Sequence, residues 1–262
     1  MRAEERPLQR LFEDDHLLVV NKPAGIVSHP TYLHPAGSLL NVLLWHARNW
    51  PTGQRPSLVG RLDKLTSGAL VVAKTPDAHA RLQRTLALSL SEKSYLAMVY
   101  GPVSAERGEI DLRLRRHPDD RRRVVATADE GVLSLTRFER LDQVDVSGCS
   151  VALMRCQIVT GRMHQVRVHM AASGWPLVGD PKYGEPRWER AADVPLRDVL
   201  STFPRQALHA WRVSFVHPFT HERVTVEAPV PEDLSGLLDA CGLNRPSAGG
   251  TTRETFPPRR MP

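Results

Sequence analysis

Cysteine is scarce in this chain of 262 residues. The three present, Cys149, Cys156 and Cys241, are an odd number with no C-x-x-C pair. They therefore offer neither a disulfide framework nor a structural zinc site with four ligands in close pairs, and reduced thiols are expected. Long apolar runs are missing as well. No stretch reaches the roughly 18 apolar residues that a membrane-spanning helix needs, and residues 1–10 are charged and lack the apolar core of a signal peptide. The expected setting is the cytoplasm, with no membrane partner. Charge of one sign is only in slight excess: 35 Lys and Arg stand against 29 Asp and Glu, a net +6. That balance favours a polyanionic partner mildly and decides nothing alone.

What is present is an alternation of short apolar runs and turn signals. Residues 16–20 read as a strand ended by Asn21-Lys22-Pro23-Ala24-Gly25, where Pro23 blocks ladder bonding. Ser38 caps an expected helix with Leu39, Leu40, Leu43 and Leu44 on one stripe. Residues 69–73 form a continuous apolar run, a buried strand, and Thr75-Pro76-Asp77 opens a second helix in which Leu82, Leu86 and Leu90 repeat. A strand is expected at 95–100, and a strand-turn-strand unit at 110–139 whose turn, His117-Pro118-Asp119-Asp120, is ringed by arginines. Further strands are expected at 151–158, 207–215 and 222–227, and a helix at 163–173. Strands are many and helices do not alternate regularly with them, which favours an α+β fold over a doubly wound one. One domain is expected over 11–243, followed from Asn244 to the C-terminus by a tail rich in Pro, Gly, Ser, Thr and Arg that reads as disordered.

Three segments carry side chains suited to chemistry. The first, Gly60-Arg61-Leu62-Asp63-Lys64-Leu65-Thr66-Ser67-Gly68, runs straight into the apolar strand, so Asp63 sits on a tight loop at a strand entrance. Spacing alone does not separate that from a surface Asp paired with Lys64 or Arg61. A phosphotransferase of the D-x-D-x-T type is excluded, because Leu65 fills the third position and the strand follows the Asp instead of preceding it. The second segment, residues 160–169, gathers Arg162, His164, Gln165, Arg167 and His169. A buried Arg would keep a nearby carboxylate ionised; a basic face turned to RNA or to solvent is the alternative. His164 and His169 are five apart, which misses the i, i+4 spacing of helical zinc ligands, so no metal is expected. In the third segment, Lys93-Ser94-Tyr95-Leu96-Ala97, strand parity puts Tyr95 on one face with Ala97 and Val99. Its ring there is either a platform for a base or ordinary core.

Taken together these segments resemble the RluA family of pseudouridine synthases. Residues 60–68 are similar to H-R-L-D-x-x-T-S-G, with Gly60 in place of the usual His. Residues 20–25 resemble the K-P-x-G segment and 93–97 the K-x-Y-x-A strand. Residues 160–169 are similar to T-G-R-x-H-Q-[IL]-R-x-H, and 174–184 to the G-x-P-[IL]-x-G-D-x-x-Y-G that follows. Leu208-His209-Ala210 and Phe215-Val216-His217-Pro218 are similar to the family's C-terminal strands, so the likeness covers residues 11–232 in one order. The resemblance implies the pseudouridine synthase fold, a mixed and mostly antiparallel sheet with flanking helices and a central RNA-binding cleft. It implies Asp63 as catalytic carboxylate, Tyr95 as the ring on the uracil, Arg167 as partner of Asp63, and Arg61 in the RNA where the target nucleotide is flipped out.

The reaction so implied turns uridine into pseudouridine in ribosomal or transfer RNA, without redox change and hence without an expected cofactor. Lys93, Arg162, His164 and Gln165 are candidate RNA contacts, and Arg121, Arg122 and Arg123 a candidate phosphate patch or a solvated hairpin tip. A catalytically silent RNA-binding module on the same scaffold is the alternative. No obligate protein partner is called for, and a monomer is the default.

Overall fold

The computed structural model describes residues 2–32, 34–88, 90–146, 148–185, 187–246 and 250–255. In chain order the elements are β1 (Gln9–Glu13), β2 (Leu17–Lys22), α1 (Leu39–His46), β3 (Ser57–Leu58), β4 (Ser67–Ala73), α2 (Pro76–Ala87), β5 (Glu92–Tyr100), β6 (Arg107–Arg116), β7 (Val124–Thr127), β8 (Val132–Val146), β9 (Cys149–Ile158), α3 (Gln165–Ala172), α4 (Val194–Thr202), β10 (Leu208–Val216), β11 (Glu222–Glu227), α5 (Glu232–Ala240) and β12 (Thr252–Thr255). They fall into two compact units, each assembled from separate stretches of chain: Met1–Lys93, Ala210–Pro229 and Ala248–Pro262 in the first, Ser94–His209 and Val230–Ser247 in the second.

In the first unit β2 pairs antiparallel with β1 on one side and β4 on the other, from Leu17↔Ala73 to Lys22↔Gly68. The expected turn at Asn21 begins later, because Asn21 and Lys22 still pair with Ala69 and Gly68. Gly68 takes φ +118°, and a Cβ there would lie 2.2 Å from the carbonyl oxygen of Ala210. The glycine of the T-S-G triplet is thus demanded by backbone packed against backbone. β11 pairs with β10 and with β12. α1 starts at Ser38, whose hydroxyl accepts the amide of Asn41 at 3.3 Å. α2 starts at Thr75 and lays Ala78, Leu82 and Leu86 into a core with Leu17, Val19, Val71, Phe215 and Val224. Leu90 does not join that stripe. The helix stops at Ala87, where the Ser91 hydroxyl donates to the carbonyls of Leu86 and Leu88, and Leu90 is exposed.

The second unit is an antiparallel run of strands, β5-β9-β8-β6-β7. Ala97, Val99, Met154, Cys156 and Phe138 form a core with Val166 and Met170 of α3, and Tyr95 packs partly against it. The region expected as strand-turn-strand holds three strands, because a second turn at 128–131 splits off β7. α4 and α5 were not anticipated. α4 is capped by Asp193, which accepts the amide of Leu196 at 2.8 Å. Asp233 of α5 takes a paired bond from the buried Arg205, at 2.6 and 2.9 Å. The strand pairings described are antiparallel and helices flank them, an α+β arrangement as expected. Of the stretch anticipated as a tail, Thr252–Thr255 is strand β12 and Thr251 donates to the Leu11 carbonyl at 3.0 Å; residues 247–249 and 256–262 lie outside the described residues.

His169 on α3 is fully buried, and neither ring nitrogen has a hydrogen-bond partner among the described residues. Burial, offset in part by Asp111, pulls its pKa from 6.5 to about 4. The unfolded chain thus takes up a proton that the folded one refuses. Stability is complete above the ordinary histidine value and declines as pH falls toward 4. At pH 5 the loss from this group is about 2 kcal/mol by linkage. His169→Leu, close in volume, is expected to flatten that decline; urea midpoints at pH 7.5 and pH 5 measure it, and an unchanged pH slope would contradict the assignment.

Candidate active site

In the first unit the loop 59–66 carries Asp63 from β3 into β4. Lys22, at the end of β2, has no exposed surface. Its ammonium donates to the carbonyls of Pro23 at 2.8 Å, Ile26 at 2.9 Å and Lys64 at 3.3 Å. An ammonium is tolerable inside a fold only when its donors are so employed, and here they lash the K-P-x-G segment to the residue after Asp63. The amide of Gly25 reaches the same Lys64 carbonyl at 2.8 Å. On the other side of Asp63, the buried Ser28 hydroxyl donates to the Leu62 carbonyl at 2.9 Å and accepts the Leu62 amide at 3.1 Å. The Thr66 amide closes the turn on the Asp63 carbonyl at 3.1 Å. The backbone of Asp63 is therefore fixed before and after it, with Leu62, Thr66 and Ser67 buried and the Asp63 side chain half-buried.

Arg61 and Lys64 are exposed on the same loop. Desolvation, and after it the charge of Arg61, lower the pKa of His29, so a neutral imidazole stands near that guanidinium. Gly60 takes φ +107° with no atom within 4 Å of where a Cβ would be. Space is open there, but the backbone conformation disfavours any side chain, and this loop uses a glycine to adopt it.

In the second unit Tyr95 lies on β5 opposite Cys156 and is half-buried. Lys93, two residues earlier and at the edge of the first unit, has its pKa lowered by burial. Arg167, in the first turn of α3, is 4% exposed and makes a paired contact with Asp180, Nε to Oδ2 and Nη2 to Oδ1, both 2.7 Å. Asp180 also accepts the amides of Lys182 at 2.9 Å and Tyr183 at 3.1 Å. Burial pushes its pKa up, but the bonds and charge of Arg167 and the two amides outweigh that, so it stays ionised.

The turn before α3 is held by Gln165, which is 3% exposed. Its Oε1 accepts the Thr160 hydroxyl at 2.9 Å and the Arg162 amide at 3.0 Å; its Nε2 donates to the Leu135 carbonyl and the Thr136 hydroxyl, both 3.0 Å. Those bonds turn its amide into the fold, while Arg162 stays exposed. His164 adopts the left-handed conformation, φ 56° and ψ 18°, and its Nδ1 meets the Tyr183 hydroxyl at 2.8 Å.

Arg121, Arg122 and Arg123 are exposed at the β6–β7 turn. Arg122 is engaged by Asp120, while Arg123 donates to the Lys182 carbonyl at 3.3 Å. Of the residues singled out in sequence, the second unit thus brings Arg167, His164 and Arg123 around one ring, that of Tyr183. Lys22, Ser28, Asp180 and Tyr183 were not singled out as site residues. Lys22 had one signal, a lysine closing an apolar strand directly before a proline.

The first unit thus holds a half-buried carboxylate on an immobilised loop; the second, by itself, holds a half-buried aromatic ring, a buried guanidinium locked to its own carboxylate, and exposed arginines suited to a polyanion. The family model described as RNA pseudouridylate synthase matches residues 16–172. The ribosomal large subunit pseudouridine synthase D of Nitrosomonas europaea is 41% identical over 238 residues, covering 91% of this chain and 66% of that protein. The protein of the same name from Pseudomonas aeruginosa is 39% identical over 244 residues, covering 93% of this chain and 74% of that protein. Among solved structures, human RNA pseudouridylate synthase domain containing 4 superposes with a TM-score of 0.72 at 23% identity over 91% of this chain and 95% of that one, which speaks for the fold. Human RNA pseudouridylate synthase domain containing 1 gives 0.67 at 25% over 98% and 94%. The chain belongs to the RNA pseudouridylate synthase family, the RNA-acting isomerases that convert uridine to pseudouridine.

Proposed function

We propose that this protein converts a uridine of large-subunit ribosomal RNA to pseudouridine, with Asp63 as the catalytic carboxylate. The observation that carries the reading is the anchoring of Asp63: a buried lysine, a buried serine and a backbone turn spend their hydrogen bonds on its loop. Such preorganisation is what a reacting carboxylate needs and what a surface turn does not. The large ribosomal subunit is named for the relatives from Nitrosomonas europaea and Pseudomonas aeruginosa, and that name supports the substrate proposed here.

The reaction breaks N1–C1′, turns the uracil, joins C5 to C1′, releases the C5 proton and takes up a proton at N1, with atoms and electrons conserved. Asp63 serves either route, attack on C1′ or removal of the 2′ proton. Tyr95 stacks on the uracil, which has to leave its stack at a cost of a few kcal/mol, and Arg167 supplies a fixed positive charge. Arg61, Lys93, Arg162, His164 and the arginines at 121–123 contact the RNA backbone and its bases, and Gln165 holds the turn that presents Arg162. The three thiols are free and buried, in keeping with the cytoplasm, where ribosomal RNA is made in bacteria. Mapping pseudouridines in the RNA of cells lacking this protein tests the proposal. One or more large-subunit sites are expected to revert to uridine; reversion only in transfer RNA would overturn the substrate, and none at all the activity.

A further inference from the structure

The β6–β7 hairpin and the Arg167–Asp180 pair share one short segment, residues 180–183. Asp180 holds the guanidinium of Arg167. The Lys182 amide bonds back to Asp180, its carbonyl accepts Arg123 at 3.3 Å, and its ammonium donates to the Arg122 carbonyl at 3.1 Å. Tyr183 does more. Its hydroxyl accepts the amide of Val124, first residue of β7, at 2.9 Å. The same hydroxyl also pairs with His164 Nδ1 at 2.8 Å. Its ring lies 5.0 Å from the Arg167 guanidinium and 5.9 Å from that of Arg123. His164 bonds it from a left-handed backbone that is uncommon outside glycine and that persists only where surrounding contacts hold it.

We propose that Tyr183 is a positioning residue that couples the arginine hairpin to Arg167, so that RNA seated on the hairpin sets the guanidinium for the reaction. This rests on the reading of Arg167 as the cation of the chemistry. Arg116 and Arg121 are exposed on the hairpin and make no ion pair among the described residues, which leaves them for phosphate. A phosphate drawing on these side chains pulls a strand whose first amide hangs on the Tyr183 hydroxyl. The same tyrosine ring lies within cation–π reach of the Arg167 guanidinium, its centroid 5.0 Å away.

Tyr183→Phe keeps the ring and deletes the hydroxyl. The assay is tritium release by the full chain from C5-tritiated total RNA of cells lacking the protein, run well below the melting temperature of each variant. We expect kcat to fall about 10-fold with apparent KM within about 2-fold, as for a group that shapes the transition state and not ground-state binding. We expect Arg121→Ala to lower kcat in the otherwise unaltered protein and to have no further effect on kcat when combined with Tyr183→Phe, since the coupling is then already cut. A Tyr183→Phe enzyme with full kcat, or effects of the two changes that simply multiply, would overturn the coupling. Full turnover by Arg167→Ala would instead remove the reading beneath it.

Discussion

Asp63→Asn is expected to lower pseudouridine formation by about 10⁴-fold or more while leaving RNA binding within about 3-fold of the unaltered protein. The amide has nearly the shape of the carboxylate, and the backbone that positions it is held by groups the change does not touch. Lys22 bonds the Lys64 carbonyl, Ser28 bonds both backbone groups of Leu62, and Thr66 bonds the Asp63 carbonyl. What disappears is the negative charge to which the proposed reaction assigns attack on C1′ or acceptance of the 2′ proton. Release of tritium from C5-labelled RNA reads the chemistry, and filter binding reads the complex. A silent RNA-binding module would show neither release nor sensitivity to this change, so release by the unaltered protein and its loss in the variant together separate the two readings. Release undiminished in Asp63→Asn would leave the carboxylate without a role.

Arg167→Ala is expected to cost on two scales. Removing one partner of a buried ion pair strands the other, and about 3–5 kcal/mol of stability should go with it; both partners are nearly inaccessible here, at 4% and 0% side-chain exposure. Turnover should fall at least about 100-fold, with apparent KM for RNA changing far less, as for a fixed charge that acts in the transition state. Asp180→Asn separates the scales. Its remaining carbonyl oxygen still accepts the amides of Lys182 and Tyr183, while the charge that holds Arg167 is gone. Asp180 stays ionised through its contacts, so its contribution is whole above about pH 4, the ordinary carboxylate value, and is lost only as pH falls through its lowered pKa. The Asp180→Asn phenotype should therefore be the same at pH 6 and pH 8. Thermal melts and single-turnover rates measure the two effects; an Arg167→Ala protein that is destabilised yet fully active would remove Arg167 from the chemistry.

Much of the fold was readable because the relevant signals are local. Ser38 and Thr75 announce helices through hydroxyls that take an amide three residues on, and the apolar run at 69–73 is buried as β4. α5 was passed over although its signals were present: Pro231, then Glu232 and Asp233 in the first turn, then Leu234, Leu237 and Leu238 on one stripe. α4 had less to show, with only Leu196 and Leu200 buried, and much of its docking is decided by neighbours far along the chain. The division into two units left little mark in the sequence. Two of the four crossings, at Lys93 and at Ala210, fall inside strands, so no linker of altered composition signals them.

The site shows the same split. Asp63, Tyr95 and Arg167 were singled out because their residue types at those spacings resemble a known pattern. Their supporting partners were not, since nothing local tells a lysine that its ammonium will be buried on three carbonyls, or an aspartate that a guanidinium thirteen residues earlier will clamp it. The amino-acid order alone determined the strands and helices with strong periodicity, the capping hydroxyls and the chemical types at the candidate site positions. These follow from torsion preferences and side-chain chemistry within a few residues. Tertiary structure alone decided that Lys22 and Ser28 immobilise Asp63, that Asp180 orients Arg167, and that Tyr183 ties both the hairpin and His164 to that pair. Those are contacts between residues up to 59 positions apart, and a hydrogen bond between distant groups exists only once the chain between them has folded.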